Sequence, residues 1–192
     1  MELPAPLAAV DAALGDHFAQ RPLRASVSFV GVDPIEVLRF EPIPGERAYL
    51  SLGMSRHPMS AADSPVLTAE GPRAELMLHL RDEPDEFADV WRQLAVLAAA
   101  PAVEGVVYRI GMTVDLGQPL AAGSACTGAL VVDSPIDAVE TAHGPVMVLQ
   151  LVPATSTELA WCRVHGATAL QDRWHERATD LLDLARRAVD LT

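Results

Sequence analysis

Apolar positions along this chain change period several times, and each change marks an element. Leu3, Leu7, Val10, Leu14 and Phe18 recur every three or four residues, so the spacing predicts an amphipathic helix over residues 3–20, ended before Pro22. Val27 and Phe29, then Ile35, Val37 and Phe40, alternate around Gly31 and Asp33-Pro34, which predicts two short strands and a turn. After a loop over residues 41–45, strands are expected at 49–55 and 74–81. Between them, residues 56–72 carry three prolines and little periodicity, a loop long enough to suggest binding or mobility.

Downstream, Phe87, Val90, Trp91, Leu94, Leu97 and Ala98 predict a helix that starts near Asp85, carries Trp91 in the core and is stopped by Pro101. Val106, Tyr108, Ile110, Met112 and Val114 alternate, so residues 106–115 are expected to form a strand. The nearly unbroken apolar runs 125–132 and 146–152 fit central strands covered on both faces. A helix over 155–165 has Ser156 or Thr157 as its expected cap and Glu158 in its first turn, and Gly166 breaks it. Leu170, Trp174, Ala178, Leu181, Leu182, Ala185 and Val189 then predict a last helix, with an Asp183–Arg187 pair on its surface and Arg186 and Arg187 in its final turn. The sum is an α+β fold: a mixed, largely antiparallel sheet packed against helices, with an N-terminal helix (1–24) and the body (25–192) forming one compact domain.

Composition narrows the function classes. A chain of 192 residues, half of them apolar, can bury about 70 % of its unfolded surface, enough for one domain. Twenty-six acids against fourteen arginines give a net charge of -12, which repels phosphate backbones, so no nucleic-acid partner is expected. The absence of lysine removes Schiff-base and phosphate-loop lysines. The ten-residue run 94–103 is too short for a membrane span, and no cleavable leader is visible, so a cytoplasmic protein with Cys126 and Cys162 as buried thiols is the expectation.

Catalytic signatures are weak. Gly53-Met-Ser55-Arg-His57 opens like a nucleophile elbow, but His57 and Pro58 stand where a glycine and a helix belong, so a small serine hydrolase using Ser55 and His57 is the alternative function and not the first. No two of the six histidines have helical ligand spacing, and His175-Glu176 lacks its second histidine because Thr179 stands there, so no metal is expected. No glycine-rich phosphate loop is present, so no cofactor is expected either. Glu75, Glu104, Asp115 and Glu158 offer carboxylates without any spacing that selects a pair. Asp82, Glu83, Asp85, Glu86 and Asp89 crowd the start of a helix, as dipole partners or as an acidic contact patch.

The order of short signatures resembles the suppressor of fused-like domain over roughly residues 25–190. These signatures are Leu52-Gly53-Met54-Ser55 with Pro58-Met59, the strand Ala74-Glu75-Leu76-Met77, the Trp91–Leu97 helix, the strand approaching Gly111, the run from Val146 to Pro153 with Glu158-Leu159, and Gly166 before the last helix. The resemblance implies an α+β binding module with no catalytic residues to carry over. In animals such domains sequester a transcription factor; in bacteria many look like immunity proteins that neutralise a neighbouring toxin. At this length the bacterial role is the expectation, with another protein as the partner, a toxin domain or a regulatory protein. The candidate contact residues are Ser55, Arg56, His57, Met59, Asp85 and Glu86. The oligomeric state is left open.

Overall fold

A computed structural model describes residues 5–62, 70–81 and 89–192. Helix α1 (Ala5–Phe18) is followed by strands β1 (Leu23–Phe29), β2 (Val32–Phe40) and β3 (Glu46–Leu52), a single 3₁₀ turn (Met54–Arg56), and strand β4 (Arg73–Arg81). Helix α2 (Val90–Glu104), strands β5 (Thr113–Asp115), β6 (Cys126–Asp133) and β7 (Val146–Thr155), and helices α3 (Ser156–His165) and α4 (Ala167–Glu176) complete it. The seven strands form one sheet in the order β1-β2-β3-β4-β7-β6-β5. Every neighbouring pair is antiparallel except β4 with β7, which run parallel with Leu76 beside Leu149. The sheet is therefore mixed and largely antiparallel, as the pattern predicts.

Alternation along the strands divides the core into two layers. Leu76, Leu78, Ala129, Val131, Leu149 and Leu151 pack with Leu94, Ala95 and Ala98 of α2 on one face. On the other face, Leu7, Val10 and Leu14 of α1 meet Leu38, Leu50, Met77 and Val148, while Leu159, Leu170 and Trp174 of α3 and α4 cover Leu130, Val152 and Ala154. Both faces of β4, β6 and β7 are thus buried, which accounts for their nearly continuous apolar runs.

Pro101 does not stop α2; the helix runs three residues further, to Glu104. A proline cannot donate to the carbonyl four residues back, here Leu97. The buried Tyr108 hydroxyl donates to that oxygen at 2.7 Å, and burial together with Glu104 pushes the phenol above its ordinary pKa. The helix ends at Gly105, at φ 68°, where an added Cβ would lie 2.4 Å from the Ala62 nitrogen. The same contact accounts for the shortening of the strand expected at 106–115 to Thr113–Asp115: Tyr108 leaves the sheet for α2, and the chain turns through Gly111 before Val131 accepts it back. Trp91 is half-buried, not a core residue, with the Arg92 guanidinium 4.8 Å from its ring. The expected helix start near Asp85 lies outside the described residues.

Two further corrections concern the C-terminal third. The cap of α3 is Thr155 and neither Ser156 nor Thr157: its hydroxyl accepts the Glu158 amide, and its own amide donates to the Glu158 carboxylate at 2.8 Å. The last helix ends at Glu176, Ala178 turns at φ 46°, and residues 177–192 continue without helix. Leu184 and Arg186 are both buried while Ala185 between them is exposed, a two-residue period that no helix supplies. Arg186 reaches Glu158 at 2.7 and 3.0 Å and the Pro153 carbonyl at 2.8 Å, and Trp174 and the Val189 amide donate to the same carboxylate at 3.0 Å. Asp183 accepts from the Ala185 amide at 2.7 Å and makes no helical pair with Arg187.

Tyr108→Phe leaves the Leu97 carbonyl buried without a donor and is expected to cost about 1–3 kcal/mol, read as a lowered urea midpoint with unchanged slope. Burial pushes the Glu158 carboxyl up, but Arg186, Thr155, Val189 and Trp174 together hold it below the ordinary carboxylate range. With the folded pKa below the unfolded one, this stabilisation is whole above about pH 5 and is lost as pH falls through the folded value. Glu158→Gln should therefore lower stability at pH 7, by an amount that urea titrations show shrinking as the buffer is acidified below about pH 5.

Candidate functional site

The corner after β3 is built around a carboxylate. Glu75 lies in β4, the central strand of seven, and is fully buried. The β3–β4 ladder ends at the pair Leu50 and Met77, and beyond it side chains take the place of main-chain partners. The Ser51 hydroxyl accepts the Leu76 amide at 2.9 Å and donates to Glu75 Oε2. Glu75 Oε1 accepts the amides of Gly53 and Ser55 at 2.9 and 3.0 Å and the Ser55 hydroxyl at 2.6 Å. Two residues earlier on the same strand, Arg73 Nη1 donates to the carbonyls of Ser55 and Arg56, both at 2.8 Å. The 3₁₀ turn is thus held at its amide end by an anion and at its carbonyl end by a cation, the arrangement its peptide dipoles favour.

Gly53 makes the corner sterically feasible. Its φ is 140°, and a Cβ there would stand 3.0 Å from the Pro34 carbonyl oxygen and 3.2 Å from the Ile35 Cδ1.

The sequence-derived candidates separate by depth. Ser55 and Met59 are buried, Arg56 is half-buried and His57 is exposed. Asp85 and Glu86 lie outside the described residues. Arg56 and His57 converge on Asp33 of β2, with Arg56 Nε at 3.6 Å and His57 Nε2 at 3.3 Å from one carboxylate oxygen. Beside them a shallow slot of about 60 Å³ is lined by Val32, Ile35, His57, Pro58, Pro101 and Ala102. The exposed part of the corner is therefore a polar triplet next to a small apolar recess.

This geometry does not assemble a serine nucleophile. Ser55 Oγ donates to Glu75 in a closed interior, while His57 turns outward to Asp33. A nucleophile needs its base within hydrogen-bond reach and an open approach for substrate. Cys126 and Cys162 are free and buried, and burial pushes both thiols up, away from thiolate chemistry. Among the described residues, no cluster of three or more His, Cys, Asp or Glu side chains could hold a metal.

Sequence reasoning did not assign Glu75, Ser51, Arg73 or Asp33 to the corner. The signal for Glu75 is present: one carboxylate within the otherwise apolar strand Ala74–Leu78 must be either exposed or fully bonded. Nothing in the spacing tells which partners bond it.

Glu75→Ala strands two backbone amides and two hydroxyls and should cost at least ~3 kcal/mol, whereas Ser55→Ala removes one bond and should cost about 1–2 kcal/mol. Chemical denaturation of the two variants tests this order.

Residues 31–187 match the sequence profile of the family described as Suppressor of fused protein (SUFU). Comparison with curated proteins finds no match. Among solved structures, a suppressor of fused homolog from Neisseria gonorrhoeae FA 1090 is 19 % identical at a TM-score of 0.70, covering 96 % of this chain and 97 % of that one. A chain of the Sufu-Fu complex crystal structure is 18 % identical at a TM-score of 0.68, covering 100 % of this chain and 92 % of its own. Drosophila Suppressor of Fused is 17 % identical at a TM-score of 0.71; the match covers 97 % of this chain and 51 % of that one, so this chain spans about half of it. These likenesses show the shared fold, and the profile match, which spans most of the chain, shows the family: the chain belongs to the suppressor of fused family.

Proposed function

We propose that this chain is a non-enzymatic protein-binding module that acts in the cytoplasm, an immunity-type protein that neutralises a partner toxin domain or a regulatory protein that sequesters its partner. The observation that carries this reading is family membership together with the fold shared with the Sufu-Fu complex, in which a related chain is seen with a protein partner. The corner supports it. The serine a hydrolase would need is occupied in holding a turn, and what the turn presents outward is a contact surface of Arg56, His57 and Asp33 beside an apolar slot. A recess of that size takes one apolar side chain of a partner, and the surrounding charges fix its orientation.

Net charge favours a basic partner. At -12 the chain attracts a cationic domain over long range, as a nucleic-acid-cleaving toxin would be. Asp85 and Glu86 belong to this reading as contributors to the acidic field.

Affinity capture from the native cell, followed by reconstitution with the captured protein, tests the proposal: a stoichiometric complex is expected, with an association rate that falls as salt rises. Arg56→Glu and His57→Ala should each weaken that complex at least tenfold while leaving the thermal midpoint within a few degrees of wild type. Turnover in an esterase or phosphatase screen that vanishes in Ser55→Ala or His57→Ala would overturn the non-enzymatic reading.

A further inference from the structure

At the opposite end of the sheet from the corner, the starts of β1 and β3 and the end of β2 meet the first turn of α2. A groove of about 300 Å³ lies between them, with the buried Val37 and Tyr49 at its base. Leu23 and Val37 lie along it, Tyr49 extends its floor and Trp91 of α2 makes a wall. Arg24 and Arg39 stand at its rim, and Arg47 borders it as well. Leu23, at the start of the edge strand β1, is 62 % exposed.

The charges here depart from the rest of the surface. Arg24 is engaged by Asp11 at 2.5 Å and Glu36 at 3.1 Å, so its charge is largely met. Arg39 has no acidic partner among the described residues, in a chain where acids outnumber bases by nearly two to one. A guanidinium above a partly apolar floor with an indole at its side offers two contacts at once: a fork for a carboxylate and an aromatic surface for an apolar side chain. Trp, Tyr and Arg are also the residues that most often concentrate binding energy in protein interfaces.

The geometry points to this groove as a second docking site, for an acidic peptide segment of a partner in which carboxylates flank an apolar anchor. The anchor lies between Leu23, Tyr49 and Trp91, and a flanking carboxylate meets Arg39. The proposal rests on the protein-binding reading and names the chemistry of one partner segment. The long-range acidic field and this local rim address different parts of a partner, the first its basic body and the second an acidic strand or tail.

A synthetic peptide separates the groove from the corner, because it needs no native partner. Titrating the full chain with Ac-Glu-Glu-Leu-Phe-Glu-Glu-amide, followed by amide and indole chemical shifts, is expected to move Leu23, Ala25, Arg39, Tyr49 and the Trp91 indole. Arg39→Glu should raise Kd at least tenfold, and Trp91→Ala by a similar factor, with the rest of the spectrum unchanged. A lysine counterpart, Ac-Lys-Lys-Leu-Phe-Lys-Lys-amide, and a serine counterpart, Ac-Glu-Glu-Ser-Ser-Glu-Glu-amide, should both bind at least tenfold more weakly. Shifts confined to other surfaces, equal binding of the lysine peptide, or affinity indifferent to Arg39→Glu would overturn the proposal. So would binding that appears only when Asp82, Glu83, Asp85 and Glu86 are changed to their amides, which would assign the groove to this chain's own acidic run. A native partner that captures Arg39→Glu as well as wild type would remove the groove while leaving the binding-module reading intact; loss of all capture by wild type would do the reverse.

Discussion

A carboxylate in the middle of a sheet must be given donors or it destabilises everything around it. Glu75 meets that demand with two amides and two hydroxyls drawn from a single stretch, Ser51 to Ser55. The direction of the chain after β3 follows from this. It must turn within two residues to bring both amides onto one oxygen, it needs glycine at position 53 to do so, and it leaves a carbonyl end that Arg73 then holds. Where the chain leaves that turn, Arg56 and His57 come to face Asp33. The outward face of the corner is thus set by an interior requirement.

Two of the signatures of family likeness, around Gly53 and around Glu75, are the two halves of this one construction. Far apart in the chain's order, they touch in space through the serines and the carboxylate. Their joint presence has a physical reason: either half without the other leaves buried polar groups unpaired. A second buried carboxylate, Glu158, does the same for the far end of the sheet, drawing Arg186 and Val189 across to the start of α3.

Most of the fold was legible because period and punctuation carry it. The stripe of Leu7, Val10 and Leu14 and the doubly covered runs of β6 and β7 are read directly from spacing. What was not legible depended on single long-range bonds. Pro101 looks like a stop only until Tyr108 supplies the missing donor to Leu97, and the alternation from Val106 looks like a strand only until the same tyrosine is drawn to α2. Leu170 to Val189 has helical spacing, but the demand of Glu158 for Arg186 overrides it after Glu176. For the corner, the residue types were visible and their depth was not: Ser55 and Met59 are as polar and as apolar as surface contacts commonly are, and only the partners reveal that both are buried.

The lone parallel junction, β4 against β7, divides the sheet into two antiparallel halves whose strands come from separate parts of the chain. Within each half, most contacts join neighbours in sequence, while the junction pairs residues more than seventy positions apart, such as Leu76 with Leu149. Loop-closure entropy makes such a pairing slow to nucleate, so the halves gain structure early and their zipping together limits the folding rate. Until that seam closes, two strands rich in apolar side chains stand open at their edges, and the nascent chain is most exposed to aggregation during that interval.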